Sequence, residues 1–315
     1  MKYRKLGKNG PEISVIGFGS WAIGGAGWAS AWGGQDDDMS AESVRAALDA
    51  GITFYDTAAV YGLGHSEEVL GKALSKDRDR VVIATKCGLV WDENGAITRT
   101  GAYESVLREA EASLKRLGTD YIDLYQMHWP DAELPAEETM RAMDKLVQDG
   151  KVRYVGVSNY NVEQLQQSLT VRHVDSLQPP YSILRPAAEK ELLPFCQANG
   201  IGVVAYSPLT SGLLSGNYTY DTTFGPDDWR SRNKAHTGEG LRSNVDRAEK
   251  LKLIAARYDI TLPQLAIAYD LAHPAITSAI VGVRKPSHIL SVLPAIDFTL
   301  DEATLAEIRA IAAAE

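Results

Sequence analysis

Six polar residues recur at equivalent places along the chain: Asp56, Lys86, His128, Asn159, Gln178 and Ser207 each come at the end of a short, apolar, β-prone run. At the carboxyl ends of parallel strands such residues leave the core, and in barrels that rim carries the chemistry. Singly, each reads better as the point where a strand meets water than as a catalytic group. With Tyr61 added, Asp56, Lys86 and His128 supply an acid, a cation to tune it, an anion to hold the cation and a neutral donor. That combination suits reduction of a carbonyl group. A phenol has a reference pKa of about 10, too high for efficient proton donation near neutrality. The Lys86 ammonium is expected to lower it, and Asp56 to offset the cost of burying Lys86.

The elements that must hold these residues follow from periodicity. Eight β-prone runs, starting at Ser14, Ile52, Val81, Tyr121, Val152, His173, Ile201 and Thr277, alternate with helical stretches. Most of the runs are continuously apolar, as in strands covered on both faces. Helices such as those beginning near Glu104 and Glu138 space apolar residues three to four apart and end at a glycine. Eight β/α units without a break in composition predict one α/β domain over residues 1–315, a (β/α)8 TIM barrel. The segment YRKLGKNGPEISV carries Asn9-Gly10 between two β-prone pieces, a hairpin signal placed to plug the barrel floor. Loops Gly24–Met39 and Leu214–Ser243 exceed ordinary connectors and are expected at the catalytic mouth.

Composition narrows the function. With 315 residues, 45% hydrophobic and 23% charged, the chain can bury a large core. A net charge of −9 argues against nucleic acid and anionic membranes as partners, so a bound anion must meet a local basic spot. Two cysteines in apolar settings, and no stretch resembling a leader or membrane span, predict a cytoplasmic protein. No helix shows an obvious dimer seam, leaving a monomer as the default. A metal-dependent hydrolase using His65, His128 and Asp56 is the rival enzyme, but the sequence lacks a paired HxH, so no metal is expected.

Five motifs then appear in order: FYDTAAVYG (Phe54–Gly62), VVIATKCG (Val81–Gly88), YIDLYQMHWP (Tyr121–Pro130), VRYVGVSNY (Val152–Tyr160) and VVAYSPLTSGLLSG (Val203–Gly216). Together they resemble the aldo-keto reductases, across almost the entire chain. The resemblance implies NADPH-dependent reduction of aldehydes or ketones, with NADH possible at lower affinity. Tyr61 is then the general acid, Lys86 and Asp56 its tuning pair, and His128 the group orienting the carbonyl oxygen. The first strand is followed by GFGSWAIGG, which does not fit the GxGxxG spacing of dinucleotide-binding sheets.

By the same resemblance the cofactor meets Ser20, Trp21 and Asp56 beside the ring, Ser158, Asn159 and Gln178 at the carboxamide, and Tyr206 as the stacking aromatic. Ser207, Leu209, Ser211 and Gly212 wrap the pyrophosphate, although SPLTSG alone is also an ordinary turn sequence. Asn217 stands where relatives often carry a lysine. Gly282, Arg284 and His288 correspond to the adenosine end, with Arg284 suited to a 2′-phosphate through its paired donors. A solvated Arg284, with Lys285 making the contact, is the alternative. Ser291 and Val292 depart from the family's Glu-Asn there, and Arg230 and Arg232 are candidates to compensate. For substrate, Trp21, Trp91 and Trp129 are expected to line an apolar pocket for neutral carbonyls, with Trp28, Trp32 and Trp229 packing lids. Channel-associated β subunits resemble the same family, so a nucleotide-binding regulator is the non-enzymatic alternative.

Overall fold

The computed structural model describes residues 1–313; the last two residues of the expected 1–315 domain lie outside the described residues. Eight parallel strands close into a barrel in chain order: β1 (Ile16–Gly19), β2 (Phe54–Asp56), β3 (Val82–Cys87), β4 (Ile122–Met127), β5 (Val152–Ser158), β6 (Ser176–Gln178), β7 (Gly202–Tyr206) and β8 (Ile276–Gly282). Each falls within or beside one of the eight apolar runs. Around them lie α1 (Asp37–Asp49), α2 (His65–Leu74), α3 (Tyr103–Leu117), α4 (Ala136–Gln148), α5 (Val162–Val171), α6 (Leu192–Asn199), α7 (Gly238–Arg257), α8 (Leu262–Ala272), α9 (Pro286–Leu290) and α10 (Glu302–Ala313). The (β/α)8 reading is correct.

The barrel interior is built in layers. Phe54, Ala84, Leu124, Val204 and Ile280 form a buried apolar cluster together with Leu6 and Ile13. Leu6 and Ile13 flank the tip of an amino-terminal hairpin, Tyr3–Lys5 paired antiparallel with Glu12–Ser14, which closes the floor as expected. Its turn differs from the Asn9-Gly10 reading. Leu6 N–H donates to Pro11 O at 2.9 Å and Gly10 N–H to Leu6 O at 3.0 Å, making a wide loop. The left-handed residue is Gly7, whose φ is +59° and whose missing Cβ would stand 2.6 Å from Gly200 O. Docking of the hairpin onto the barrel floor therefore decides the turn.

Two residues further along three of these strands the interior turns polar. Side chains in strands alternate with period two, so Phe54, Ala84 and Leu124 are followed on the inward face by Asp56, Lys86 and Gln126. All three are buried. Lys86 pairs in register with Gln126, and Gln126 with Gly156. A Cβ at Gly156 would approach Gln126 Cγ to 3.0 Å and Ser176 Oγ to 2.3 Å, so this glycine makes room for the polar layer.

Helix α3 ends at Gly118 with φ of +64°, and its cap N–H reaches Leu114 O and Lys115 O, as the glycine stop predicts. The expected second long loop is shorter than the sequence implied. Helix α7 already begins at Gly238, because Gly238 and Gly240 mimic loop composition while Leu241 and Val245 pack into an apolar cluster. Among the described residues no helix is long and apolar enough to cross a membrane. Cys87 and Cys196 are both buried and unpaired.

On α8, Asp270 is fully buried and neither carboxylate oxygen has a hydrogen-bond partner. Burial, reinforced by Glu189, pushes its pKa well above the ordinary carboxylate value, so the folded protein holds it neutral. A raised folded pKa means that stability falls as pH climbs from the unfolded value towards the folded one. Asp270→Asn, an isostere of the neutral acid, should raise the melting temperature by at least about 2 °C at pH 8, with a smaller gain at pH 4.5. Equal gains at both values would show that Asp270 does not titrate in this way.

Candidate active site

Strand ends β2, β3 and β4 bring the four expected catalytic side chains to one place. Lys86 Nζ donates to Asp56 Oδ2 at 2.7 Å, to Thr57 O at 2.8 Å and to Tyr61 Oη at 3.4 Å. The same ammonium lies 5.1 Å from the centre of the Tyr61 ring. The His128 imidazole meets that ring edge-on at 5.7 Å between centroids. The side chains of Lys86 and Asp56 are 0% and 5% exposed, which makes their attraction far stronger than that of a surface pair.

The other Asp56 oxygen, Oδ1, accepts from Gln178 Nε2 at 2.7 Å and, more distantly, from Gln126 Nε2 at 3.5 Å. Gln178, expected at the carboxamide, is thus engaged by the carboxylate here. Gln126 was not anticipated; its signal was that it precedes His128 by two, on the same face of β4.

Burial sets the protonation states. The Tyr61 hydroxyl is pushed well above 10 by desolvation first, then by the Asp56 and Tyr206 oxygens. This reverses the expectation that Lys86 lowers it, because the ammonium is already paired with Asp56 and desolvation of the phenolate outweighs what remains. Lys86 itself is lowered from its ordinary value by burial, with Asp56 opposing. His128 is held well below 6.5 by burial, then by Lys86 and Arg99. The site therefore presents a protonated phenol and a neutral imidazole.

A second group of residues lies along the rims of β5, β7 and β8. Tyr206 Oη donates to Asn159 Oδ1 at 2.9 Å, Asn159 Nδ2 to His128 O at 3.0 Å, and Ser158 Oγ to Gln178 O at 2.8 Å. Asn159, Ser207, Thr210 and Ser211 all have left-handed φ, between +47° and +63°, and Gly212 follows at +97°. Such conformations cost about 1 kcal/mol or more at non-glycine residues and collect at binding sites. Leu209 caps the distorted turn Thr210–Ser215, and Asn217 lies just beyond it, exposed.

At the end of β8, a Cβ on Gly282 would meet nothing within 4 Å, leaving open space beside Arg284. His288 sits on α9 and is exposed. Ser20 is buried, and its hydroxyl accepts from Ser66 Oγ at 2.8 Å. These groups fit a nicotinamide dinucleotide: an aromatic face, amide and hydroxyl partners, a strained loop of backbone donors and a basic end.

An aromatic roof covers Tyr61. Trp21 stacks on it at 6.2 Å and on Trp229 at 5.7 Å, while Trp32 meets Trp21 edge-on at 5.2 Å. Trp28 also approaches Tyr61, at 6.1 Å, and Leu89 and Ile97 pack against the same cluster. Those two belong to a small hairpin, Leu89–Trp91 with Ile97–Arg99, which the sequence reading missed although Asn94-Gly95 between its strands is a hairpin signal. Trp91 and Trp129 lie beneath Arg116 at 5.9 Å and Arg99 at 4.7 Å. Arg230 is tied to Asp228 and Arg232 is exposed. His65 pairs with Asp37 at 2.8 Å, away from His128, and among the described residues no group of three or more His, Cys, Asp or Glu side chains is arranged to hold a metal ion.

The Asp56–Lys86 pair yields a stability test. Lys86→Met strands a buried carboxylate and should cost about 3–5 kcal/mol in urea unfolding. The double variant Lys86→Met, Asp56→Asn should lose clearly less than the sum of the single losses; simple additivity would mean that the two charges are not coupled.

Comparison with known proteins agrees with this geometry. Residues 15–313 match the model of the Aldo/keto reductase family. The aldo-keto reductase YhdN of Bacillus subtilis is 39% identical, with 99% of this chain and 93% of that protein aligned. The NADH-specific methylglyoxal reductase of Escherichia coli is 36% identical, over 100% of this chain and 99% of its own. Among solved structures, a glycerol dehydrogenase from Gluconobacter oxydans superposes with a TM-score of 0.89 at 35% identity, covering 98% of this chain and 94% of that one. With its polar rim carried on eight closed strands and its sequence matched nearly end to end, the chain belongs to the aldo-keto reductase family of oxidoreductases.

Proposed function

We propose that this protein reduces small neutral aldehydes and ketones to alcohols with a nicotinamide cofactor, NADPH in preference to NADH, and that Tyr61 is the general acid. The observation that carries the reading is Tyr61 Oη within 3.4 Å of the Lys86 ammonium, under the Trp21 ring and beside His128. When bound, the cofactor supplies the hydride that forms the new C–H bond. The substrate oxygen then gains negative charge, and Tyr61 donates its proton there while the neutral His128 holds the same oxygen by a hydrogen bond. Lys86 stabilises the phenolate left behind, and Asp56 keeps Lys86 charged. Trp21 closes the site over Tyr61 and reduces water access, which strengthens each of these interactions.

Ser158, Asn159 and Gln178 are the residues for the carboxamide, Tyr206 for the ring face, Ser207–Gly212 for the pyrophosphate and Gly282, Arg284 and His288 for the adenosine end. In this reading Gln178 exchanges its bond to Asp56 for the ligand. Two relatives, a methylglyoxal reductase and a glycerol dehydrogenase, put three-carbon compounds first in the assay panel. Because one of those relatives is NADH-specific, both cofactors belong in the assay. The buried, unpaired cysteines are consistent with action in the reducing cytoplasm.

Tyr61→Phe removes only the proton donor. Reduction should fall by at least about 100-fold, with cofactor affinity measured by fluorescence titration changed less than about twofold. Undiminished turnover would remove Tyr61 from this role. The protonation states give a second expectation: with Tyr61 raised above 10 and His128 below 6.5, neither group titrates near neutrality. At saturating cofactor, kcat/KM for the carbonyl should stay within about threefold between pH 6.5 and 9. A break near pH 7 would assign a titrating group that this scheme lacks.

A further inference from the structure

The Arg284 guanidinium, at the adenosine end of the site, is engaged by the loop that carries the aromatic roof. Its Nε donates to Gln35 Oε1 at 3.0 Å, one terminal nitrogen to Trp32 O at 3.2 Å and the other to Gly34 O. Gln35 returns a bond from Nε2 to Arg284 O at 2.9 Å and steadies itself on Ser40 Oγ at 3.1 Å. The contact spans 249 residues of sequence. From Trp32 the packing continues directly to Trp21 and Trp229, and from Trp21 to Tyr61.

The roof held in this way is not at ease. The indole N–H groups of Trp32 and Trp229 are buried without a partner. Each such group forfeits its hydration with no bond in return. Opening the roof would rehydrate both. The closed arrangement therefore depends on ties at its edges, and Arg284 supplies three of them.

We propose that Arg284 is a latch that holds the Trp21–Trp32 roof over the catalytic tyrosine, and that a phosphate on the 2′-oxygen of the cofactor's adenosine loosens it by taking the same guanidinium. A planar guanidinium grips phosphate with two donors along one edge. Nε carries a single hydrogen and already gives it to Gln35, so a phosphate gripped along the Nε edge of the fork displaces that loop bond. A nucleotide lacking that phosphate leaves the latch intact. Arg284 is thus a positioning residue that makes the substrate wall respond to the kind of cofactor bound. The latch itself requires only the geometry above; its link to cofactor choice rests on the proposed reductase function.

Acrylamide quenching of tryptophan fluorescence reads the roof without turnover. Arg284→Ala and Gln35→Ala should both quench more readily than the wild type in the protein without nucleotide. Adenosine 2′,5′-bisphosphate should increase quenching in the wild type, 5′-AMP should not, and Arg284→Ala should respond to neither. Gln35→Ala, which leaves every cation in place, should raise the KM for an aromatic aldehyde about fivefold with kcat within about twofold. Wild-type quenching in both variants, or equal responses to the two nucleotides, would overturn the latch. Absence of carbonyl reduction in the wild type would instead overturn the proposed reaction, and leave the quenching result to stand.

Discussion

A charge that water cannot reach has to be answered by the protein, and the buried ammonium of Lys86 is the constraint around which this site is organised. Asp56 answers it with one oxygen and Thr57 with its carbonyl, while the second Asp56 oxygen is held by Gln178. Removing any partner leaves a group that is expensive to strand. The arrangement requires β2, β3 and β6 to arrive in a fixed relation, which only a closed sheet can guarantee. Fold and site are therefore coupled through an ion pair that adds little net stability but permits few alternatives.

The same layering that seals the floor prepares the mouth. Phe54, Ala84 and Leu124 fill the barrel with Leu6 and Ile13 from the hairpin, and the next inward positions are Asp56, Lys86 and Gln126. One step of the strand period separates a dry core from a polar layer. The low local polarity beneath explains why Tyr61 and His128 remain uncharged: desolvation is the first cause in both. A site open to water would have given the nearby charges more influence and burial less.

The barrel was legible because most strands are buried, largely apolar runs whose signal depends only on neighbours in sequence. The polar residues at the strand ends were legible for the same reason. What escaped depends on distant parts of the chain. Gln126 acquires its partner through cross-strand register, and the Leu89–Trp91 hairpin has strands too short to show periodicity, although Asn94-Gly95 marks its turn. The shift of Tyr61 depends on how deeply the phenol is packed, which composition does not reveal. Helix α7 was masked at its start by two glycines, and Arg284 read as a solvated or phosphate-facing cation because its partners Trp32, Gly34 and Gln35 lie at the other end of the sequence.

The left-handed residues at Asn159, Ser207, Thr210 and Ser211 carry a consequence for rigidity. Their backbone is set in an unfavourable shape before any ligand arrives, so the work of shaping these two rim segments is done when the chain folds. A ligand that fits there would cost the protein little further ordering, since these segments have few other shapes to surrender. Glycine at these positions would ease the tension and widen the range of loop conformations, exchanging readiness for comfort. A barrel with a well-packed interior can carry such local discomfort, which is one reason the fold tolerates exacting sites at its rim.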